Sequence, residues 1–257
     1  MIMLLIKSFI ALAFLFGIYE TNANAFEQKL SSDVIPLYDQ GEFEALSKIL
    51  EDKVNNNQPD IDAFDFFALG NAYFKQGLNG KAMAAYLKAS ELAPRSSVIA
   101  FNLKKVSDQS RDKLGYDWPE AQWKKALVLY RKLSVQELFY LGAMLIALAG
   151  IFICAYLFSS QYKRLFITLC FICFGFGGYA ATVFFFSKSI WPKWGAVTSF
   201  QTNVYSSPSA ESGVVLFKLN DGAPVMIEGS DGLWSKIGLS DGKRGWVETD
   251  RLASYYR

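Results

Sequence analysis

The chain has 257 residues, 52% of them hydrophobic, with 26 basic and 24 acidic side chains and a net charge of +2. It contains no histidine. That excludes Ser-His-Asp triads, imidazole acid–base chemistry and zinc sites that need imidazole. The near-neutral charge builds no field for nucleic acid. The three cysteines, Cys154, Cys170 and Cys173, lie in apolar runs, so no disulfide framework is expected. Setting aside residues 1–25 and the apolar stretch 138–187 leaves about 110 residues before that stretch and about 65 after it, enough for two small domains but not for a large enzyme core.

Residues 1–25 have the layout of a signal segment. Lys7 gives a weakly positive start, residues 10–18 form a short apolar stretch, and Ala23-Asn24-Ala25 offers small side chains for cleavage before Phe26. An uncleaved anchor is the alternative.

Residues 26–114 read as helical. Phe66, Leu69, Gly70, Tyr73, Ala82, Tyr86, Ala89 and Pro94 recur at a spacing that resembles the tetratricopeptide repeat with Ala63 as its first position. The physical reading is an antiparallel helix pair. Gly70 faces Ala82 at the closest approach, and Phe66, Leu69, Tyr73 and Tyr86 fill the space around them. Residues 76–80 break the helix, and Pro94 ends the second one. Gly80 is expected in the turn, where a larger side chain would be tolerated. Leu37, Tyr38, Gly41, Phe43 and Ala45 resemble the turn of a preceding repeat. Residues 97–110 resemble the first helix of a following one, with Ala100 and Leu103 as core positions and Lys104 where the repeat wants glycine. So few repeats leave an open end that something must cover. Asn71, Lys75 and Asn102 are the candidate partner contacts. Asp60, Asp62 and Asp65 flank a helix start, where capping explains them more simply than catalysis. Residues 26–60 carry a net charge of −5 and residues 96–135 a net +4.

Residues 117–134 read as a juxtamembrane amphipathic helix, with Trp123, Ala126, Leu127, Tyr130 and Leu133 on its apolar side. A further repeat helix is the alternative. Residues 138–158 and 165–187 contain no charge, and each is long enough to cross a hydrocarbon core of roughly 30 Å. The short connection makes them an antiparallel hairpin. Small residues at Ala143 and Ala147, and at Gly177 and Ala181, allow the two helices to approach. Two spans without an internal charge do not by themselves make a channel or transporter. Cys170-Phe171-Ile172-Cys173 is formally a C-x-x-C, but within an apolar helix it reads as small filler. Signal cleavage places both soluble parts outside the cytoplasm, whereas the basic flanks at Lys124, Lys125, Arg131, Lys132, Lys188 and Lys193 favour the opposite orientation. The signal acts first, so the expected location is the bacterial inner membrane with both soluble domains in the periplasm.

Residues 194–257 switch to short strand-like segments at 195–200, 214–219, 224–227, 234–237 and 244–247. Turns at Asp221-Gly222, Asp231-Gly232 and Asp241-Gly242 separate several of them. Many short strands in so small a segment predict an all-β barrel. Asn203-Val204-Tyr205-Ser206-Ser207-Pro208, Trp234-Ser235-Lys236-Ile237 and Gly245-Trp246-Val247 resemble the bacterial SH3-like domain. Tyr205 and Ser207 stand where that domain usually has arginine and glycine. Tyr205, Trp234, Trp246 and Tyr255 are the aromatic candidates for a binding surface.

The fold class expected is therefore a multidomain membrane protein: all-α tetratricopeptide-type repeats, a transmembrane helical hairpin and a C-terminal SH3-like barrel. This order resembles the E member of the Bat (aerotolerance) family. The resemblance implies a non-enzymatic, membrane-anchored adaptor in an envelope stress-tolerance complex. Its implied partners are von Willebrand factor A-type Bat membrane proteins and a MoxR-type ATPase. It implies no cofactor and no nucleic-acid partner. Peptidoglycan binding by the SH3-like domain is the alternative function.

Overall fold

The computed structural model describes residues 34–56, 61–116, 135–158, 161–190 and 193–256. The expected signal segment and the expected amphipathic helix at 117–134 lie outside the described residues. Seven helices and seven strands are described.

The helical unit comprises α1 (Val34–Asp39), α2 (Phe43–Asn55), α3 (Ala63–Lys75), α4 (Asn79–Leu92) and α5 (Ser97–Gln109), each packed on the next in the chain. Local chemistry sets the ends of α3. Asp62 accepts hydrogen bonds from the Phe64 and Asp65 amides, and the Asp65 carboxylate takes the Asp62 amide in return. This capping box satisfies donors that would otherwise be orphaned. Lys53 of α2 pairs with Asp65 at 3.0 Å. At the other end, Gly77 adopts φ +77°. The Leu78 amide reaches the Tyr73 carbonyl and the Gly77 amide reaches the Phe74 carbonyl, which is the Schellman arrangement.

Seven of the eight motif residues are buried: Phe66, Leu69, Gly70, Tyr73, Ala82, Tyr86 and Ala89; Pro94 is half-buried. Gly70 lies against the Tyr86 ring, where a β-carbon would stand 2.6 Å from Cδ1; this ring, and not Ala82, is the nearest neighbour. On α5 the buried positions are Ile99, Leu103 and Val106, while Ala100 is exposed. On α2 they are Leu46, Ser47 and Leu50, and Ala45 is exposed.

The apolar pair is α6 (Val135–Phe158) and α7 (Lys163–Ile190). Both are long and apolar enough to cross a membrane. They pack through Gly142, Ala149, Phe166, Cys173, Gly177 and Ala180. A β-carbon on Gly142 would meet the Ala180 methyl at 3.5 Å. Ala143 and Ala147, expected at this contact, face outward. On α6 the contact passes through Gly142 and Ala149 instead, while Gly177 of α7 stands in it as expected; periodicity in a uniformly apolar helix does not fix which face is used.

The C-terminal unit is one antiparallel sheet of β1 (Lys193–Val197), β2 (Gln201–Tyr205), β3 (Val215–Asn220), β4 (Pro224–Asp231), β5 (Trp234–Gly238), β6 (Arg244–Glu248) and β7 (Leu252–Ser254). The strand order is β3-β2-β6-β5-β4-β1-β7. β3, β5 and β6 lie within a residue of the segments expected, whereas β4 runs on to Asp231, into the expected turn, β1 spans Lys193–Val197 and not 195–200, and β2 and β7 are strands beyond those expected. Gly222, Gly232 and Gly242 all have positive φ, as their Asp-Gly turns require. Val197, Val204, Leu219, Ala223, Val225, Ile237, Leu239 and Val247 form the barrel core.

The two soluble units pack against each other. In β1, Trp194 and Ala196 belong to the helical core, with Leu69, Ala82 and Met83 among its members, while Val197 belongs to the barrel core. A strand with opposite faces in two cores is buried on both, and β1 is buried from Trp194 through Val197. Leu114, beyond α5, packs in return against the barrel core.

Candidate binding face

The outer face of β3, β2, β6 and β5 carries the most distinctive surface of the barrel. Tyr205 is directly opposite Val215 on one side and Trp246 on the other, and Trp246 is opposite Lys236. Cross-strand partners share a face, so Val215, Tyr205, Trp246 and Lys236 form a row across four strands. Trp234 joins it edge-on, its ring 5.4 Å from Tyr205 at 88°.

Backbone geometry makes this row possible. Gly245 has no room for a side chain, because a β-carbon would lie 2.4 Å from Val204 Cγ1. That close approach draws β6 onto β2 and brings Trp246 beside Tyr205. Asn203 Nδ2 donates to the Tyr205 hydroxyl at 3.3 Å. Ser235 and Thr249 hydroxyls bond at 2.9 Å beneath the β4–β5 hairpin. Tyr205, Trp234 and Trp246 are half-buried, Lys236 is exposed, and Leu233 at the hairpin tip is 82% exposed. Half-buried aromatics combine fixed ring positions with accessible apolar faces and polar tips. Such a row suits a ligand with flat apolar patches and hydroxyl or amide groups.

Tyr255, grouped with these aromatics from the sequence, belongs elsewhere. Its ring lies 5.4 Å from Phe66 in α3 and packs with Ala89 and Ile99. Burial pushes its hydroxyl pKa up to about 12. Tyr256 follows it onto the helical unit, where Lys88 Nζ stands 4.3 Å above its ring. Burial also raises Tyr73, whose hydroxyl donates to Glu51, and Tyr86, whose hydroxyl donates to Asn71 at 2.6 Å. Lys81 completes the Tyr73 cluster, 3.1 Å from Glu51 and 5.1 Å from the Tyr73 ring centre.

The other sequence candidates are dispersed. Asn71 is half-buried, with its carbonyl engaged by Tyr86. Lys75 is exposed, with Nζ 5.9 Å from the Phe43 ring. Asn102 donates to the Val98 carbonyl on its own helix at 3.0 Å.

Sequence reasoning did not find the seam between the soluble units. Asp221 Oδ1 accepts the Gly80 amide at 3.0 Å, and the Ser110 hydroxyl reaches the Asp221 carbonyl at 3.4 Å. Asp112 takes both the amide and the side-chain nitrogen of Asn220, at 2.6 and 3.0 Å. Asp221 reads locally as a turn former, and no spacing rule links it to a glycine so distant in the chain.

A family model described as bacterial SH3 domain matches residues 201–253. The match runs from the first residue of β2 into β7, so β1 lies before it. This part of the chain is a bacterial SH3 domain. No curated protein matches the chain.

Proposed function

We propose that the protein is a membrane-anchored, non-enzymatic binding protein whose SH3 domain holds cell-wall peptidoglycan at the row formed by Tyr205, Trp246 and Lys236 with Trp234. That row is the observation that carries the reading. Sugar rings and short wall peptides present apolar faces beside hydroxyls and amides, which matches half-exposed aromatic rings next to a lysine. The α6–α7 pair would supply the anchor. The seam supports a common side for both soluble units, because two spans bring the chain back to the side from which it entered. The periplasmic side is the one that suits a wall ligand.

A second reading concerns the helical unit. The eight-position spacing and the packing of α3 on α4 favour a tetratricopeptide-type module that binds a protein partner. In that reading the chain is an adaptor of the Bat/MoxR type, with Asn71, Lys75 and Asn102 as contacts to be tested.

The test is co-sedimentation of the detergent-solubilised full chain with purified sacculi. Trp246→Ala and Tyr205→Ala should each weaken pelleting at least about tenfold if these rings are central contacts. Pelleting that is unchanged in both variants would remove the wall-binding reading. Stoichiometric capture of the von Willebrand-type or ATPase components on the same chain would support the adaptor reading.

A further inference from the structure

The seam contains an unequal pair of helix starts. α3 is capped by its own Asp62 and Asp65. α4 begins after Leu78, which has no side-chain cap bond. The missing acceptor comes from the other unit: the Asp221 carboxylate of the β3–β4 turn takes the Gly80 amide at 3.0 Å. A carboxylate at a helix N-terminus satisfies orphaned donors and complements the helix dipole.

Packing on both sides of this contact makes it directional. A β-carbon on Gly80 would fall 2.0 Å from the Val197 carbonyl oxygen and 2.6 Å from Asp221 Oδ1. Gly222 is held within 3.5 Å, measured from its own would-be β-carbon, of Asn79 Cβ. Along the same helix, β1 and β7 cover α4, and Tyr255 and Tyr256 close the far end over Phe66 and Lys88. The open side of the helical stack is thus covered by the chain's own SH3 domain.

We infer that the SH3 domain is the cap and cover of α4, so the two soluble units are conformationally coupled and α4 loosens whenever the seam opens. The contact surface on α4 therefore has a defined partner, the β1–β7 side of the same chain. An SH3 domain held in this way is not a free module on a tether. Displacing it strips the first turn of α4 of its acceptor and exposes Ala82, Met83 and Trp194 together.

Amide hydrogen exchange on the full chain in detergent micelles tests this. Asp221→Ala should speed exchange in the first turn of α4 by about tenfold, the equivalent of losing a typical cap. Asp221→Asn keeps an acceptor and should stay close to wild type. The reciprocal arm is Gly80→Ala, which must push Val197 away and so should speed exchange in β1 and β7. Asp241→Ala, at an exposed Asp-Gly turn of the same barrel, is the control. Wild-type protection of α4 in Asp221→Ala would overturn the inference. So would an equal loss in Asp241→Ala, or a Gly80→Ala response confined to α4. If Asp221→Ala does not fold, Gly80→Ala still reads the coupling from the helical side.

Discussion

Gly70 and Gly80 are both buried helical glycines, Gly80 lying in the first turn of α4 with no room for a side chain and not in the tolerant turn expected, yet different parts of the molecule close over them. At Gly70 the obstacle is the Tyr86 ring, 2.6 Å from a would-be β-carbon and belonging to the next helix of the same unit. At Gly80 it is the Val197 backbone, at 2.0 Å and supplied from beyond the membrane pair. A ring can shift within its rotamer well, whereas a strand carbonyl moves only with its sheet. The local glycine is therefore a packing detail, and the distant one is a point of close contact between the two soluble units.

The largest effect is expected at the distant site. Gly80→Leu should cost about 3 kcal/mol or more, at the upper end of overpacking, because no rotamer avoids β1. Exchange protection would fall in α4, β1 and β7 together. Retention of wild-type protection in β1 would show that the seam does not constrain Gly80.

The tyrosines at the seam give a pH test of the same contrast. Burial pushes the Tyr255 hydroxyl above the usual tyrosine value of about 10, up to about 12. An acid raised on folding is disfavoured in its charged form by the native state. Stability is thus unaffected below pH 10 and is lost as pH climbs from about 10 to 12, by up to about 1.4 kcal/mol per pH unit for this group. Tyr255→Phe should flatten that slope in a series of thermal melts monitored with tyrosine ionisation. An unchanged slope would place the alkaline transition elsewhere, with Tyr73, Tyr86 or Tyr256.

Gly70→Leu comes next, at about 1–3 kcal/mol. It pushes the Tyr86 ring from the helical core and threatens the hydroxyl bond to Asn71. The loss should centre on α3 and α4, and membrane insertion should persist. A melt identical to wild type would mean that the α3–α4 packing tolerates bulk where the ring now sits.

These contrasts also separate what the sequence made legible from what it did not. The α3–α4 pair was legible because its signals are short-range: Asp62 with Asp65 at one end, Gly77 at the other, and buried residues at helical spacing between them. The barrel was legible from Asp-Gly turns and from Gly245-Trp246-Val247. β2 is weakly marked in the sequence because Gln201, Asn203 and Tyr205 face outward and one of its two buried residues, Thr202, is polar. The seam was illegible for a different reason. Asp221, Asp112 and Tyr255 each have a sufficient local explanation as turn former, loop residue and exposed aromatic. Their partners lie across the membrane pair, where periodicity carries no information. In the binding face, the aromatic residues could be named from the sequence, but their alignment depends on the pairing of β2 with β6.

The smallest effect should come from the helix that caps itself. Asp62→Ala removes the acceptor for the Phe64 and Asp65 amides, at a cost of about 1 kcal/mol. The Lys53–Asp65 ion pair remains, so α3 should keep its place against α2 and only its first turn should fray. Asp62→Asn preserves an acceptor and should recover most of the loss. Exchange should rise in the first turn of α3 and nowhere in the barrel, in contrast to the two-sided response expected at Gly80. If the barrel strands loosen as well, a local cap propagates as far as the seam does. The soluble units would then open as one cooperative block, and the distinction between a local and a distant cap would have no energetic meaning.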